Sequence, residues 1–212
     1  GYVELVDHMG SDLTIVNSAR VSFGKHKQTL DEKDIKLIKY LVKNKHTSTF
    51  EHNVVTFRIK VPLFVRSQHH RHRTWSYNEI SRRYTDFNIE FYEPDSFRTQ
   101  HKSNRQASNF DDTINPIVGF VKVPDGGSST ASQMVRLHHA RSFKLYESLL
   151  SAGICREQAR GVLPQNMYTE YYGTCNLSNL LKFIQLRTHE GAQWEIQQLA
   201  TGMLTLAEHL WP

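Results

Sequence analysis

Cysteine is scarce in this chain. Cys155 and Cys175 are its only two, and they form no C-x-x-C pair. That excludes a zinc ribbon and a thioredoxin-type redox motif, and it leaves two reduced thiols as the expectation. Long apolar runs are also missing: no stretch approaches the roughly 20 residues that a membrane span needs. The N-terminus has no basic-then-apolar signal pattern, so a cytoplasmic protein is expected, with no membrane contact. There is no G-x-G-x-x-G, hence no Rossmann phosphate turn. No repeat, long linker or low-complexity tract interrupts the 212 residues. With 39% hydrophobic and 22% charged residues the chain is globular, which predicts one domain over residues 1–212. The net charge of +5 favours anionic ligands, whether nucleotides, phosphates or nucleic acid, without choosing among them.

Hydrophobic periodicity supplies the elements. Residues 31–43 put Ile35, Ile38, Leu41 and Val42 on one helical face, with Asp31 as N-cap and Asn44 as stop. Residues 53–61 alternate, with Val55, Phe57, Ile59 and Val61 on one side, as a half-buried strand does. Pro62 can open a helix over about 63–73. NIEFY at 88–92 predicts a short strand, and the polar, turn-rich residues 101–130 a loop or insertion. A helix over about 131–152 follows, with Met134, Leu137, Phe143, Leu145 and Leu149 apolar and Gly153 ending it. Arg156–Val162 is a shorter helix before Pro164, and residues 167–175 a strand. Asn176 caps a helix at 177–187, and a last helix at about 192–210 carries Ile196, Leu199, Met203, Leu206 and Leu210. Helices mixed with a short antiparallel sheet, without βα alternation, read as α+β.

The chemistry concentrates in residues 66–83, RSQHHRHRTWSYNEISRR. Five arginines (66, 71, 73, 82, 83) and three histidines (69, 70, 72) stand there with one acid, Glu79, and no lysine. A solvated basic face mixes Lys with Arg and pairs both with acids. Arginine alone points to forked hydrogen bonding of phosphate or carboxylate. Trp75, Tyr77 and Tyr84 are interleaved, either against flat rings or as core. His69 and His72 at i, i+3 invite a zinc reading, but no further ligand lies nearby and the arginines would repel a cation. No metal is expected.

Arg71-His72-Arg73, seven residues, then Ser81 resembles the RHR-x7-S signature of the flavin-dependent thymidylate synthases. The wider string RHRTWSYNEISRRY fits that family's pattern at each defined position. ARVSFGK (19–25), HTSTFEH (46–52), REQARGVLP (156–164) and LRTHEGAQWEIQ (186–197) resemble further family blocks, in order. The departures are Thr47-Ser48-Thr49, Arg82, Lys182 and Gly191.

The resemblance implies an α+β enzyme that methylates dUMP to dTMP. Methylenetetrahydrofolate is the implied carbon donor, NADPH-reduced FAD the hydride source, and a homotetramer the implied assembly, with sites shared between subunits. It implies dUMP contacts from Gln68 and Arg71 of one subunit and from Glu79, Ser81, Arg82, Arg83 and Arg160 of another. Arg187 would face the uracil imide as the catalytic residue. FAD contacts are implied for Ser22, Ser48, Arg71, His72, Arg73, Glu79, Asn176, Ser178 and Lys182, and a folate or nicotinamide vicinity for His46, Tyr84 and Gln193. No enzyme thiol is required. The competing readings are a nucleic-acid module using the arginine segment, which the resemblance disfavours, and a flavin reductase acting on another small molecule.

Overall fold

The computed structural model describes residues 1–119 and 128–212. In chain order its elements are β1 (Tyr2–Met9), α1 (Asp12–Arg20), α2 (Glu32–Lys43), β2 (Val54–Pro62), α3 (Leu63–His69), β3 (Ser76–Glu79), β4 (Phe97–Gln100), β5 (Ser108–Ile114), β6 (Ile117–Gly119), β7 (Ser129–Thr130), α4 (Ala131–Ser151), α5 (Arg156–Ala159), β8 (Tyr168–Asn176), α6 (Leu177–Arg187) and α7 (Trp194–Glu208). Short 3₁₀ turns follow α1, precede β2 and follow α5. This is the expected α+β class. The chain divides into two compact units: one of Gly1, Val61–Ser67 and Glu79–Thr169, the other of Tyr2–Lys60, Gln68–Asn78 and Glu170–Pro212.

The second unit holds most of a four-stranded sheet of order β1-β2-β8-β3, with β1 antiparallel to β2. The alternation of β2 holds: Val55, Phe57 and Ile59 are wholly buried and Val61 nearly so. In β8, Tyr171 and Cys175 point the same way. Leu180, Phe183 and Ile184 of α6 and Ile196, Leu199, Ala200 and Met203 of α7 complete this core. Full burial of such a side chain contributes about 1.5–3 kcal/mol. Gly10 turns the chain from β1 into α1 at φ +89, where a Cβ would strike the Asn53 side chain. Gly202 lets α7 approach Val3 of β1, again within the reach of a Cβ.

Several expectations change. The helix expected to 73 ends at His69, because Tyr77 Oη donates to the carbonyls of both His69 (3.0 Å) and His72 (3.1 Å). Arg71, His72 and Arg73 therefore sit on a turn. The α2 face named from periodicity is only partly used: Leu41 is buried, but Ile35 and Val42 are half exposed. What is buried instead is the Asp34 carboxylate, which receives Arg20 at 2.5 Å and also Lys27. These contacts, with Asn17 bonded to the backbone of Lys27 through both its amide atoms, tie down the segment after α1.

In the first unit, residues 88–92 make a single bridge, Phe91 to Met167, not a strand. Asn88 adopts a left-handed φ of 53, which breaks extended pairing. The loop expected over 101–130 is largely structured. β4 pairs with β5, and β6 with β7; residues 120–127 lie outside the described residues, and with them most of the turn-forming PDGGSST stretch (124–130) of the expected loop. Polar cross-strand pairs hold that hairpin: Arg98 to Ser108 at 2.9 Å, Thr99 to Asp112 at 2.6 Å, Asn109 to Thr99 at 2.8 Å. An apolar alternation could not announce them. On α4 the buried positions are Ser132, His139 and Tyr146, while Leu145 is half exposed. His139 is admitted because Nδ1 meets Glu93 at 2.8 Å and its ring stacks on Phe91.

Candidate functional site

The second unit builds two stretches of chemistry. At the turn after α3, the Arg71 and His72 amides donate to the carbonyls of Gln68 and His69. His69 itself is core: its ring is fully buried against Trp75 and Phe183, with Nδ1 2.8 Å from Tyr171 Oη. Burial, then the neighbouring His70, His72 and Arg187, pushes its pKa well down. His72 lies at the rim. Its Nε2 accepts from Arg187 Nε at 3.2 Å, so its proton resides on Nδ1. Burial and the Arg187 charge keep this imidazole neutral below the ordinary range. Burial also lowers the Arg187 pKa, though a guanidinium stays charged. The Gln68 amide donates to Gln193 Oε1 at 2.5 Å, and Gln193 donates on to Glu195 at 2.9 Å. Four residues expected from the sequence, Gln68, His72, Arg187 and Gln193, are thus held by one another.

The second stretch is a cleft of about 300 Å³ lined by Leu41, Lys45, His46, Phe50, Ser178 and Lys182, among others. No carboxylate lines it among the described residues. It adjoins the N-terminal end of α6, whose N-cap Asn176 uses Oδ1 to accept from the Asn179 amide at 2.9 Å, leaving its own NH₂ as a donor. Ser178 Oγ is buried with no hydrogen-bond partner among the described residues. Ser22 and Ser48 are exposed on 3₁₀ turns, and Arg71 and Arg73 are exposed on theirs.

The first unit carries the rest. Glu79, the last residue of β3, is held at both carboxylate oxygens. Arg66 forks onto Oε2, its Nε at 2.8 Å, and Thr169 donates to Oε1 at 2.7 Å. Ser81 Oγ accepts from the Arg83 amide, and Arg83 pairs with Glu157 at 3.1 Å, three residues before Arg160. Tyr84 is exposed with the Arg83 guanidinium over its ring. Arg82 is engaged inward: buried, it donates to the Phe87 carbonyl at 2.7 Å and holds the following loop. Sequence reasoning missed Arg66 and Thr169 as the fixings of Glu79. It also missed Lys45 in the cleft.

Neither cysteine is poised as a nucleophile. Cys175 is buried and its thiol pKa is pushed up, while Cys155 is exposed beside Gln158. Among the described residues no cluster of three His, Cys, Asp or Glu could hold a metal ion, and no helix is long and apolar enough to cross a membrane.

Among the described residues the chain thus presents exposed arginines, a paired Gln68–Gln193 amide contact and a cleft lined by two lysines and no carboxylate. The family model described as "Thymidylate synthase complementing protein" matches residues 4–212. The flavin-dependent thymidylate synthase of Thermus thermophilus is 43% identical over 212 residues, covering all of this chain and 73% of that one. That of Thermosipho africanus is 40% identical over 213, covering 88% of its length. Among solved structures, the UMP/dUMP methylase PolB of Streptomyces cacaoi, bound with 5-bromo-dUMP, superposes with a TM-score of 0.82 at 35% identity, covering all of this chain and 91% of that one. The chain belongs to the flavin-dependent thymidylate synthase family.

Proposed function

We propose that the protein catalyses the reductive methylation of dUMP to dTMP, with FAD as cofactor, methylenetetrahydrofolate as carbon donor and NADPH as reductant. The observation that carries this reading is Arg187, fixed by His72 at 3.2 Å in the unit where Gln68 is fixed by Gln193. A guanidinium so oriented favours ionisation of the uracil nitrogen between the two carbonyls, because it stabilises the charge that develops there. Ionised uracil is the better carbon nucleophile, so no enzyme thiol is needed. The raised pKa of Cys175 agrees with that.

The residues fit a flavin dinucleotide. The unpartnered Ser178 hydroxyl, Lys182 and the start of α6 are a donor set for a pyrophosphate, and the apolar cleft walls suit a flat ring. When bound, the flavin supplies the hydride that NADPH provides. His72, Asn176, Ser178 and Lys182 would hold it, with Ser22, Ser48, Arg71, Arg73 and Glu79 as further contacts. His46, Tyr84 and Gln193 would meet the folate or nicotinamide.

Phosphate and sugar of dUMP fall to two groups. Gln68 and Arg71 belong to one compact unit, Glu79, Ser81, Arg82, Arg83 and Arg160 to the other. In this reading the two groups come from different subunits of a homotetramer, each site drawing on more than one chain. Two free cysteines suit a cytoplasmic enzyme.

The test is direct. The purified protein should take up FAD, form dTMP with all three small molecules present, and release tritium from dUMP labelled at ring carbon 5. A folded protein that binds FAD, oxidises NADPH and never releases tritium is a reductase of another substrate.

A further inference from the structure

Lys45 has a backbone conformation that its side chain does not favour. It stands just beyond α2 with φ 56, in the left-handed region. Its amide donates to the Val42 carbonyl at 3.1 Å, and the His46 amide reaches back to Leu41 at 2.9 Å. Those two bonds make a Schellman turn, and Lys45 occupies the place where glycine is the usual residue. A lysine there carries backbone strain that a glycine would not. The turn delivers Lys45 and His46 to the wall of the 300 Å³ cleft, facing a lining that includes Ser178 and Lys182.

Two features of that cleft point to an anion. Ser178 is 4% exposed, yet its hydroxyl has no partner among the described residues. No carboxylate lines the cleft to neutralise Lys45 and Lys182 among the described residues. A buried hydroxyl, two ammonium groups and the first turn of an 11-residue helix are complementary to phosphate oxygens.

We propose that Lys45 is a ligand-binding residue that holds the pyrophosphate of FAD in this cleft, its strained backbone being the cost of presenting an ammonium group there. The proposal rests on the flavin reading above. The same geometry makes opposite predictions for stability and for binding. Replacing Lys45 with Gly or Asn relieves the strain and removes the charge.

The experiment uses flavin-stripped protein in two measurements. Thermal melting without flavin should show Lys45→Gly rising by about 2–4 °C, the shift for relief of about 1 kcal/mol in a chain of this size. FAD titration, followed by flavin fluorescence, should show about 5- to 30-fold weaker binding in Lys45→Gly and Lys45→Asn. The salt dependence of binding should also be shallower, because one cation has been lost. Lys45→Arg should stay within about threefold of wild type. If Lys45→Gly and Lys45→Asn bind FAD as tightly as wild type, Lys45 is a helix terminus only and the proposal is overturned, whatever happens to the KM for NADPH. If the folded wild type itself takes up no FAD, the flavin reading falls first. The two failures are therefore separable.

Discussion

Arg187, the last residue of α6, donates through Nε to Nε2 of His72, 115 positions earlier in the chain, at 3.2 Å. The bond uses one edge of the guanidinium. The Nη groups are those proposed to meet the uracil, and the imidazole is locked with its proton on the far nitrogen. A helix-terminal arginine with no further duty contributes about 0.3–1 kcal/mol through the helix dipole. An arginine stabilising a developing charge is worth on the order of 100- to 1000-fold in rate. Arg187→Ala is therefore expected to keep its fold and its flavin and to lose dTMP formation by about that factor. Lysine should restore little, because it cannot both hold His72 and fork. Turnover near wild type in Arg187→Ala, with flavin content measured alongside, would leave only the dipole role.

The thiols give a complementary expectation. Cys175 is buried with its pKa raised, and Cys155 is exposed with its thiol donating to Gln158, no histidine or carboxylate being bonded to it among the described residues. A double variant, Cys155→Ser with Cys175→Ala, should retain turnover within roughly tenfold, at a stability cost of about 1–3 kcal/mol. A folded, flavin-loaded Cys155→Ser protein with no dTMP formation would reinstate covalent catalysis.

Legibility in the sequence followed the physics of each segment. β2 and α6 could be read almost to the residue, because one is a clean two-residue alternation and the other has an asparagine cap that the structure uses, Oδ1 to the Asn179 amide. The hairpin of β4 and β5 could not, since Arg98–Ser108 and Thr99–Asp112 pairs look like loop composition. The end of α3 is not legible in the sequence because its cause, the Tyr77 hydroxyl, is eight residues from His69. The candidate residues were found through the motif. What holds them was not, because Arg187–His72, Gln68–Gln193 and Thr169–Glu79 join segments far apart in the chain. The strained backbone of Lys45 had only Asn44, expected as the helix stop, to announce it.

Acid should destabilise the protein in two separate windows. His69 and His72 are held neutral below the ordinary value of 6.5, so the unfolded chain takes up protons first as pH falls. Their contribution is complete above about pH 6.5 and declines as pH drops from there toward their lowered values. Asp34 is the opposite chemical case, a carboxylate held down by Lys27 and Arg20 from its ordinary 3.8. Its stabilisation is present above about pH 4 and is lost as pH falls further. Melting temperature followed against pH should fall less steeply between about pH 6.5 and 5 in His72→Gln than in wild type. Asp34→Asn should melt lower at neutral pH and lose only the limb below about pH 4. Identical slopes in wild type, His69→Gln and His72→Gln would show that neither imidazole is held neutral.

Shared sites can be detected by mixing two dead proteins. Arg71 and Arg160 are both exposed and belong to different compact units, and both are proposed to bind dUMP, one from each of two subunits. Removal of a charge-assisted phosphate contact costs about 1.5–3 kcal/mol, enough to silence either variant at limiting dUMP. When Arg71→Ala and Arg160→Ala chains are co-assembled at random, a site drawing Arg71 from one chain and Arg160 from another finds both intact about one time in four. Recovered activity should therefore approach about a quarter of wild type, with KM for dUMP in the restored sites unchanged. If each site took both arginines from one chain, no mixture could restore it, since every chain lacks one of them. Activity that stays at the level of the single variants, in samples whose light scattering and mass analysis demonstrate mixed oligomers, would establish that one-chain arrangement and remove the shared-site reading.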